Sequence, residues 1–180
     1  MNQPRELVMS IDLNALEHLG INLYSNIPAV LSEIVANAWD ADAQNVTVTV
    51  DKAKETITIE DGGTGMDRNG VIDRFLRIGF KRREVLGEET PGGRKPMGRK
   101  GIGKLSIFSI AQIAEVYTIQ GGECTAFKMD RDVIRKAISG NTQKPYKPEE
   151  LQPWSSDLKK GTRIILSGLS KSLSGMTVEG

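Results

Sequence analysis

The sequence predicts a single α+β domain. Three patterns carry this: a long helix with apolar residues at three- and four-residue steps, two alternating strand pairs, and a last strand, TRIILSGL, after Gly161. The helix is the Glu33 segment, where Leu31, Ile34, Val35 and Ala38 supply the apolar spacing and Pro28 suits the first turn. Val46, Val48 and Val50 alternate with threonines, as do Ile57 and Ile59, which predicts an antiparallel hairpin with one buried face. VYTIQ, the Gly121-Gly122 turn and CTAFKM predict a second hairpin.

The other elements follow in order. Residues 7 to 11 read as a short N-terminal strand or arm, and Asp12 as the N-cap of a short helix ending near Gly20. Helices are expected near 67 to 78, 102 to 113 and 130 to 139. Residues 80 to 100 combine charge with Pro91, Gly92, Gly93 and Pro96, the composition of a mobile functional loop. Residues 140 to 160, with Pro145, Pro148 and Pro153, read as a surface excursion. The domain is therefore assigned to residues 1 to 170. The small, polar stretch 171 to 180 reads as a tail or a linker to a further domain.

Composition excludes several classes of function. The 180 residues are 38% apolar and 26% charged, enough for a sizeable core and ordinary for a globular protein. A net charge of +1 gives no global attraction to nucleic acid or membrane, so electrostatic specialisation must be local. It is concentrated between residues 81 and 104, where Lys81, Arg82, Arg83, Arg94, Lys95, Arg99, Lys100 and Lys104 outnumber Glu84, Glu88 and Glu89. One cysteine, Cys124, rules out an internal disulfide, and one histidine, His18, gives no metal-ligand cluster. The N-terminal residues lack a basic segment followed by an apolar run, and no stretch reaches transmembrane length, so a cytoplasmic protein without a membrane partner is expected.

Chemistry gathers in three motifs. In EIVANAWDADA, Glu33 and Asn37 sit one helical turn apart and aim a carboxylate and an amide at the same place. Phosphoryl transfer to water needs both kinds of group, a carboxylate to orient the water and an oxygen ligand to hold Mg²⁺ against the phosphates. Asp40, two turns beyond Glu33, either reinforces the site through an ion pair or a water or simply ends the helix. In DGGTGM, Gly62, Gly63 and Gly65 permit positive φ and close approach of backbone to ligand. Asp61 at its mouth is either a turn initiator or an acceptor for the exocyclic amine of adenine. GRKGIGKLS nearly fits a P-loop, but Leu105 stands where a Ser or Thr hydroxyl must meet Mg²⁺, the hydroxyl comes one residue late at Ser106, and no buried strand precedes it. Its glycines instead let backbone N–H groups and a helix N-terminus face phosphates, with Arg99, Lys100 or Lys104 adding charge. Residues 80 to 104 then form a lid over a triphosphate.

These motifs, in this order and with Gly161-Thr162 opening the last strand, resemble the GHKL superfamily of ATPases: gyrase B, heat-shock chaperones, histidine kinases and MutL. The wording of EIVANAWDADA and GRKGIGKLS looks closest to MORC-like and related bacterial members. The resemblance implies the Bergerat fold, a two-layer α/β sandwich whose mixed, mostly antiparallel sheet carries its helices on one face. It implies ATP and Mg²⁺ as cofactors, Glu33 as general base, Asn37 as Mg²⁺ ligand, Asp61 as adenine contact, and Thr162 as its helper through water. Asp40, Gly63, Gly65 and Met66, and then Gly98, Arg99, Lys100, Gly101, Ile102, Gly103 and Lys104, complete the implied nucleotide contacts. In gyrase B-like and MutL-like members a lysine from a following domain reaches the γ-phosphate. This sequence is accordingly expected to be one module of a longer protein, with ATP and ADP as ligands, an ATP-dependent homodimer as its assembly, and a nucleic acid or protein as client. A sensor histidine kinase is disfavoured, since His18 lies in a short LEHLG segment rather than a phosphoacceptor helix. Two function classes stand: slow ATP hydrolysis driving lid closure and dimerisation, or an ATP-sensing module with negligible turnover.

Overall fold

The computed structural model describes residues 4–11, 27–78, 89–98, 103–139, 145–154 and 159–170. The short helix expected to end near Gly20, together with His18, lies outside them. Two short parallel strands, β1 (Ser10–Ile11) and β4 (Arg77–Ile78), form a small sheet of their own. Among the described residues the main sheet has six antiparallel strands in the order β2-β3-β8-β5-β6-β7. These are β2 (Val46–Asp51), β3 (Thr56–Asp61), β5 (Ala111–Gln120), β6 (Glu123–Asp130), β7 (Glu149–Glu150) and β8 (Gly161–Leu169). The architecture is the expected α+β sandwich, with parallel pairing among the described residues confined to the small sheet.

Register explains both core and site. Because side chains alternate, residues in step across four strands share one face. Ile57, Leu166, Ala114 and Met129 form one row, and Ile59, Ile164, Val116 and Phe127 the next. Val30 and Ile34 of helix α1 (Ile27–Asp40), Ile107, and Ile134 of α3 (Arg131–Ser139) join these rows in one buried cluster, and Phe75 meets Phe127 edge to face. Each fully buried Val, Ile or Leu contributes about 1.5–3 kcal/mol, so this face is where the fold is held. The third row of the same face is polar: Asp61, Thr162, Thr118 and Thr125. The site begins where the apolar rows stop.

The second hairpin turns on Gly121 and Gly122, both at positive φ as a two-residue hairpin turn requires. Two expected helices are different elements. Near 67 to 78 the chain makes one turn, α2 (Arg68–Gly70), capped by the Asp67 carboxylate on the Gly70 amide at 2.7 Å, and then a π-helical turn, Val71–Phe75. The five-residue bond from the Leu76 amide to the Val71 carbonyl brings Val71 and Leu76, both fully buried, to the same side. An α-helix would have separated them. Near 102 to 113 a 3₁₀-helix, Gly103–Ser109, gives way to β5 at Ala111. Ala111 and Ala114 are both buried at a three-residue spacing that reads as helical, and Gly168, at φ +61° beside Gln112, marks the irregular start of this pairing. The excursion between 140 and 160 contributes β7, which adds an edge to β6.

Candidate nucleotide-binding site

Helix α1 and the turn after β3 meet edge on. The Thr64 amide donates to the Ala41 carbonyl at 2.7 Å, and a Cβ on Gly63 would come within 2.7 Å of that same carbonyl. Of the three glycines in DGGTGM, Gly65 alone takes positive φ, +64°, where an added Cβ would lie 1.9 Å from the Ile119 carbonyl oxygen. Gly62 has open space around it and ordinary backbone, so positive φ is used at Gly65 alone and close backbone approach at Gly63 and Gly65. Gly161, at φ +133°, brings β8 close under Asp61: a Cβ there would lie 2.2 Å from the Asp61 carbonyl.

Asp61 and Thr162 face each other in register. The Asp61 carboxylate accepts the Gly63 amide at 2.8 Å and the Thr162 amide, yet burial outweighs these bonds and raises its pKa above the ordinary carboxylate value. Thr118, fully buried in β5, ties the surrounding strands together. Its hydroxyl accepts the Met66 amide at 2.9 Å and lies 3.2 Å from the Thr162 hydroxyl and 3.4 Å from the Gly161 carbonyl.

A cleft of about 510 Å³ opens between these elements. Helix α1 contributes Ile34, Asn37, Ala38 and Asp40; the β3 turn contributes Asp61, Gly65 and Met66; β8 contributes Thr162 and Ile164. Arg74, Phe75 and Lys104 close one side and residues 89 to 91 another. Sequence-expected residues from four separate segments thus meet around one cavity. Glu33, half-buried one turn before Asn37, is not on its wall, nor are Gly63 and Gly98. Arg99, Lys100, Gly101 and Ile102 lie outside the described residues, and Gly103 begins the 3₁₀-helix.

Two charged groups have partners that sequence did not indicate. Asp40 accepts the amides of Met97 and Gly98 at 2.7 and 3.0 Å, so it anchors residues 97 and 98 to the helix end. The Lys104 ammonium donates to the carbonyls of Arg74 and Arg77, the latter at 2.8 Å, and lies over the Phe75 ring; burial pushes its pKa down to about 7. Nearby, Asp42, at φ +59°, accepts the Thr90 hydroxyl and the Gly92 amide, while the Trp39 indole donates to the Lys95 carbonyl at 3.1 Å beneath the Arg94 guanidinium. Thr118, Trp39 and Asp42 were missed. Only Thr118 left a signal, an inward-facing threonine in the alternation of VYTIQ.

A family model described as "Histidine kinase-, DNA gyrase B-, and HSP90-like ATPase" matches residues 24–162. The "Putative type II restriction enzyme HgiDII" of Herpetosiphon aurantiacus is 41% identical over 165 residues, 92% of this chain and 26% of that protein. "Chaperone protein HtpG" from Shewanella sp. (strain ANA-3), and likewise from Shewanella oneidensis, is 36% identical over 97 residues, 43% of this chain and 15% of the chaperone. The chain therefore spans about a quarter or less of the length of these curated relatives. Among the described residues no helix is long and apolar enough to cross a membrane. With a cleft lined jointly by the asparagine helix, the aspartate-glycine turn and the Gly161-Thr162 strand, and with the family match running through all three, the chain belongs to the histidine kinase-, DNA gyrase B- and HSP90-like ATPases, a GHKL family of ATP-binding domains.

Proposed function

We propose that this chain binds ATP in the 510 Å³ cleft and hydrolyses it slowly with Mg²⁺, as the ATPase module of a larger protein. The observation that carries this reading is the joint exposure of Asn37, Asp61 and Thr162 to one cavity. A carboxylate facing a hydroxyl across two strands matches the amine and ring nitrogen on one edge of adenine, and the Asn37 end of the cleft is left for phosphates. Asn37 would hold Mg²⁺ through its amide oxygen, the ion polarising the phosphate while phosphates and waters complete its shell. That arrangement suits the donor set, since among the described residues no group of three or more His, Cys, Asp or Glu could hold a metal. Glu33, one turn from Asn37, would orient the attacking water. Closure of residues 80 to 100 and ATP-dependent dimerisation would follow triphosphate binding. Kinship with a protein named as a restriction enzyme supports DNA as the client of the larger protein.

One observation favours the second reading, an ATP-sensing module with negligible turnover: Glu33 stands off the cleft wall. Calorimetry with ATP, ADP and GTP, together with phosphate release with and without Mg²⁺, tests both. ATP binding with Mg²⁺-dependent release supports the hydrolase, binding without release supports the switch, and no adenine nucleotide binding overturns both.

A further inference from the structure

We infer that Thr118 is a positioning residue for base recognition, acting through Thr162; this rests on the reading of the cleft as an adenine nucleotide site. Thr118 lies on the same sheet face as Asp61 and Thr162, one strand further in. It is fully buried and itself stays off the cleft wall. Its hydroxyl has one proton to give. One of its lone pairs already receives the Met66 amide at 2.9 Å.

Two proton arrangements are open to the pair. In one, Thr118 donates to Thr162 at 3.2 Å, and Thr162 keeps its own proton for the cleft. In the other, Thr118 donates to the Gly161 carbonyl at 3.4 Å, Thr162 donates back to Thr118, and Thr162 offers the cleft only a lone pair. Both keep the 3.2 Å contact between the hydroxyls, and the first gives up only the longer 3.4 Å one to the Gly161 carbonyl. The first is also the one adenine requires: with the exocyclic amine on the Asp61 carboxylate, the adjacent ring nitrogen N1 is an acceptor and needs a donor from the Thr162 side, directly or through one water. Thr118 therefore fixes Thr162 as a donor. The same hydroxyl fastens the Met66 amide, so the turn carrying Gly65 and the strand carrying Thr162 are set by one atom.

The test pairs two variants with two ligands. Thr118→Val keeps the shape and removes the hydroxyl; Thr118→Ser keeps the hydroxyl. ATP is compared with 1-deaza-ATP, in which a C–H replaces N1, by calorimetry, with thermal unfolding measured alongside. Thr118→Val should weaken ATP roughly five- to tenfold, the worth of one net hydrogen bond, and 1-deaza-ATP by no more than about twofold. Thr118→Ser should keep ATP within about twofold of the parent. A Thr118→Val that weakens both ligands equally, or a Thr118→Ser as damaging as Thr118→Val, overturns the inference, since a purely structural threonine behaves that way. If the valine variant does not fold, Thr118→Ala supplies the same comparison. A parent protein that binds neither ligand overturns the reading of the cleft, whereas a parent that binds ATP with Thr118→Val neutral overturns only the role of Thr118.

Discussion

The carboxylate of Asp42 accepts the hydroxyl of Thr90 across 48 residues of sequence and takes the Gly92 amide at 2.9 Å with its other oxygen. With Asp40 on residues 97 and 98 and Trp39 on Lys95, the end of helix α1 holds residues 90 to 98 along their length. Composition alone suggests mobility for this stretch; three of its backbone amides, those of Gly92, Met97 and Gly98, have carboxylate partners. Asp42→Ala should raise hydrogen exchange of the amides of Gly92, Gly93 and Arg94 by an amount equivalent to about 1–3 kcal/mol of local stability, the cost of unmaking hydrogen bonds to a charged group. Exchange at these amides that is the same in both proteins would show that Asp42 does not hold the loop.

The sheet and the long helix were legible because period-2 and period-3.6 patterns state themselves in the sequence: Ile57 and Ile59 with the valines of β2, Ile34 and Ala38 on α1. The π-helical turn at Val71–Phe75 was not, since a five-residue spacing of buried groups imitates an irregular α-helix until the partner strand is in place. Among the site residues, Asn37, Asp61 and Thr162 stood out through motifs. Thr118 did not, because its role arises from register across β8 and β5, and strand pairing is a long-range property that local pattern does not contain. Lys104 was visible as a charge near glycines, but the carbonyls of Arg74 and Arg77 that accept its hydrogen bonds come from a different segment.

Glu33→Ala should leave ATP affinity within about twofold and abolish Mg²⁺-dependent phosphate release, because a water-orienting carboxylate acts on the transition state rather than on ground-state binding. Glu33 is half-buried on α1 one turn from Asn37 and is not among the residues that line the cleft with Asp61. Phosphate release at the parent rate would remove Glu33 from the general-base role.

Asp61→Asn should weaken ATP by about 1–3 kcal/mol, since an amide that can turn either way replaces a charged acceptor. The same carboxylate sets a pH limit. Burial raises its pKa, so the native state takes up a proton before the unfolded chain does as pH falls. Stability from this group therefore increases as pH falls through the raised pKa, and is fully present below the unfolded value near 3.8. ATP affinity moves the opposite way, because a protonated Asp61 accepts the adenine amine poorly. Calorimetric affinity should decline on acidification earlier than for an ordinary aspartate, with that decline absent in Asp61→Asn. Parallel acid profiles in the two proteins would place the titration elsewhere.

Lys104 gives the last expectation. Its ammonium sits against the carbonyls of Arg74 and Arg77, lines the cleft, and is pushed by burial to about 7 from 10.5. A lysine whose folded pKa lies below its unfolded one binds fewer protons in the native state between those two values. Its desolvation penalty is thus fully present below about pH 7 and is relieved as pH rises toward 10.5. At pH 8 a substantial share of Lys104 is neutral in the free protein. A nucleotide's phosphates in the same cleft would favour the charged form, so binding should draw in a proton. Titrations with ATP at pH 8 in buffers of different ionisation enthalpy should show this uptake as a buffer-dependent heat, and Lys104→Met should lose it. The methionine also leaves two carbonyls without their donor, so thermal unfolding is needed beside the titration. A folded Lys104→Met protein that takes up as many protons on binding ATP as the parent would assign the uptake to another group and leave Lys104 a purely structural tie between the 3₁₀-helix and the Arg74–Arg77 segment.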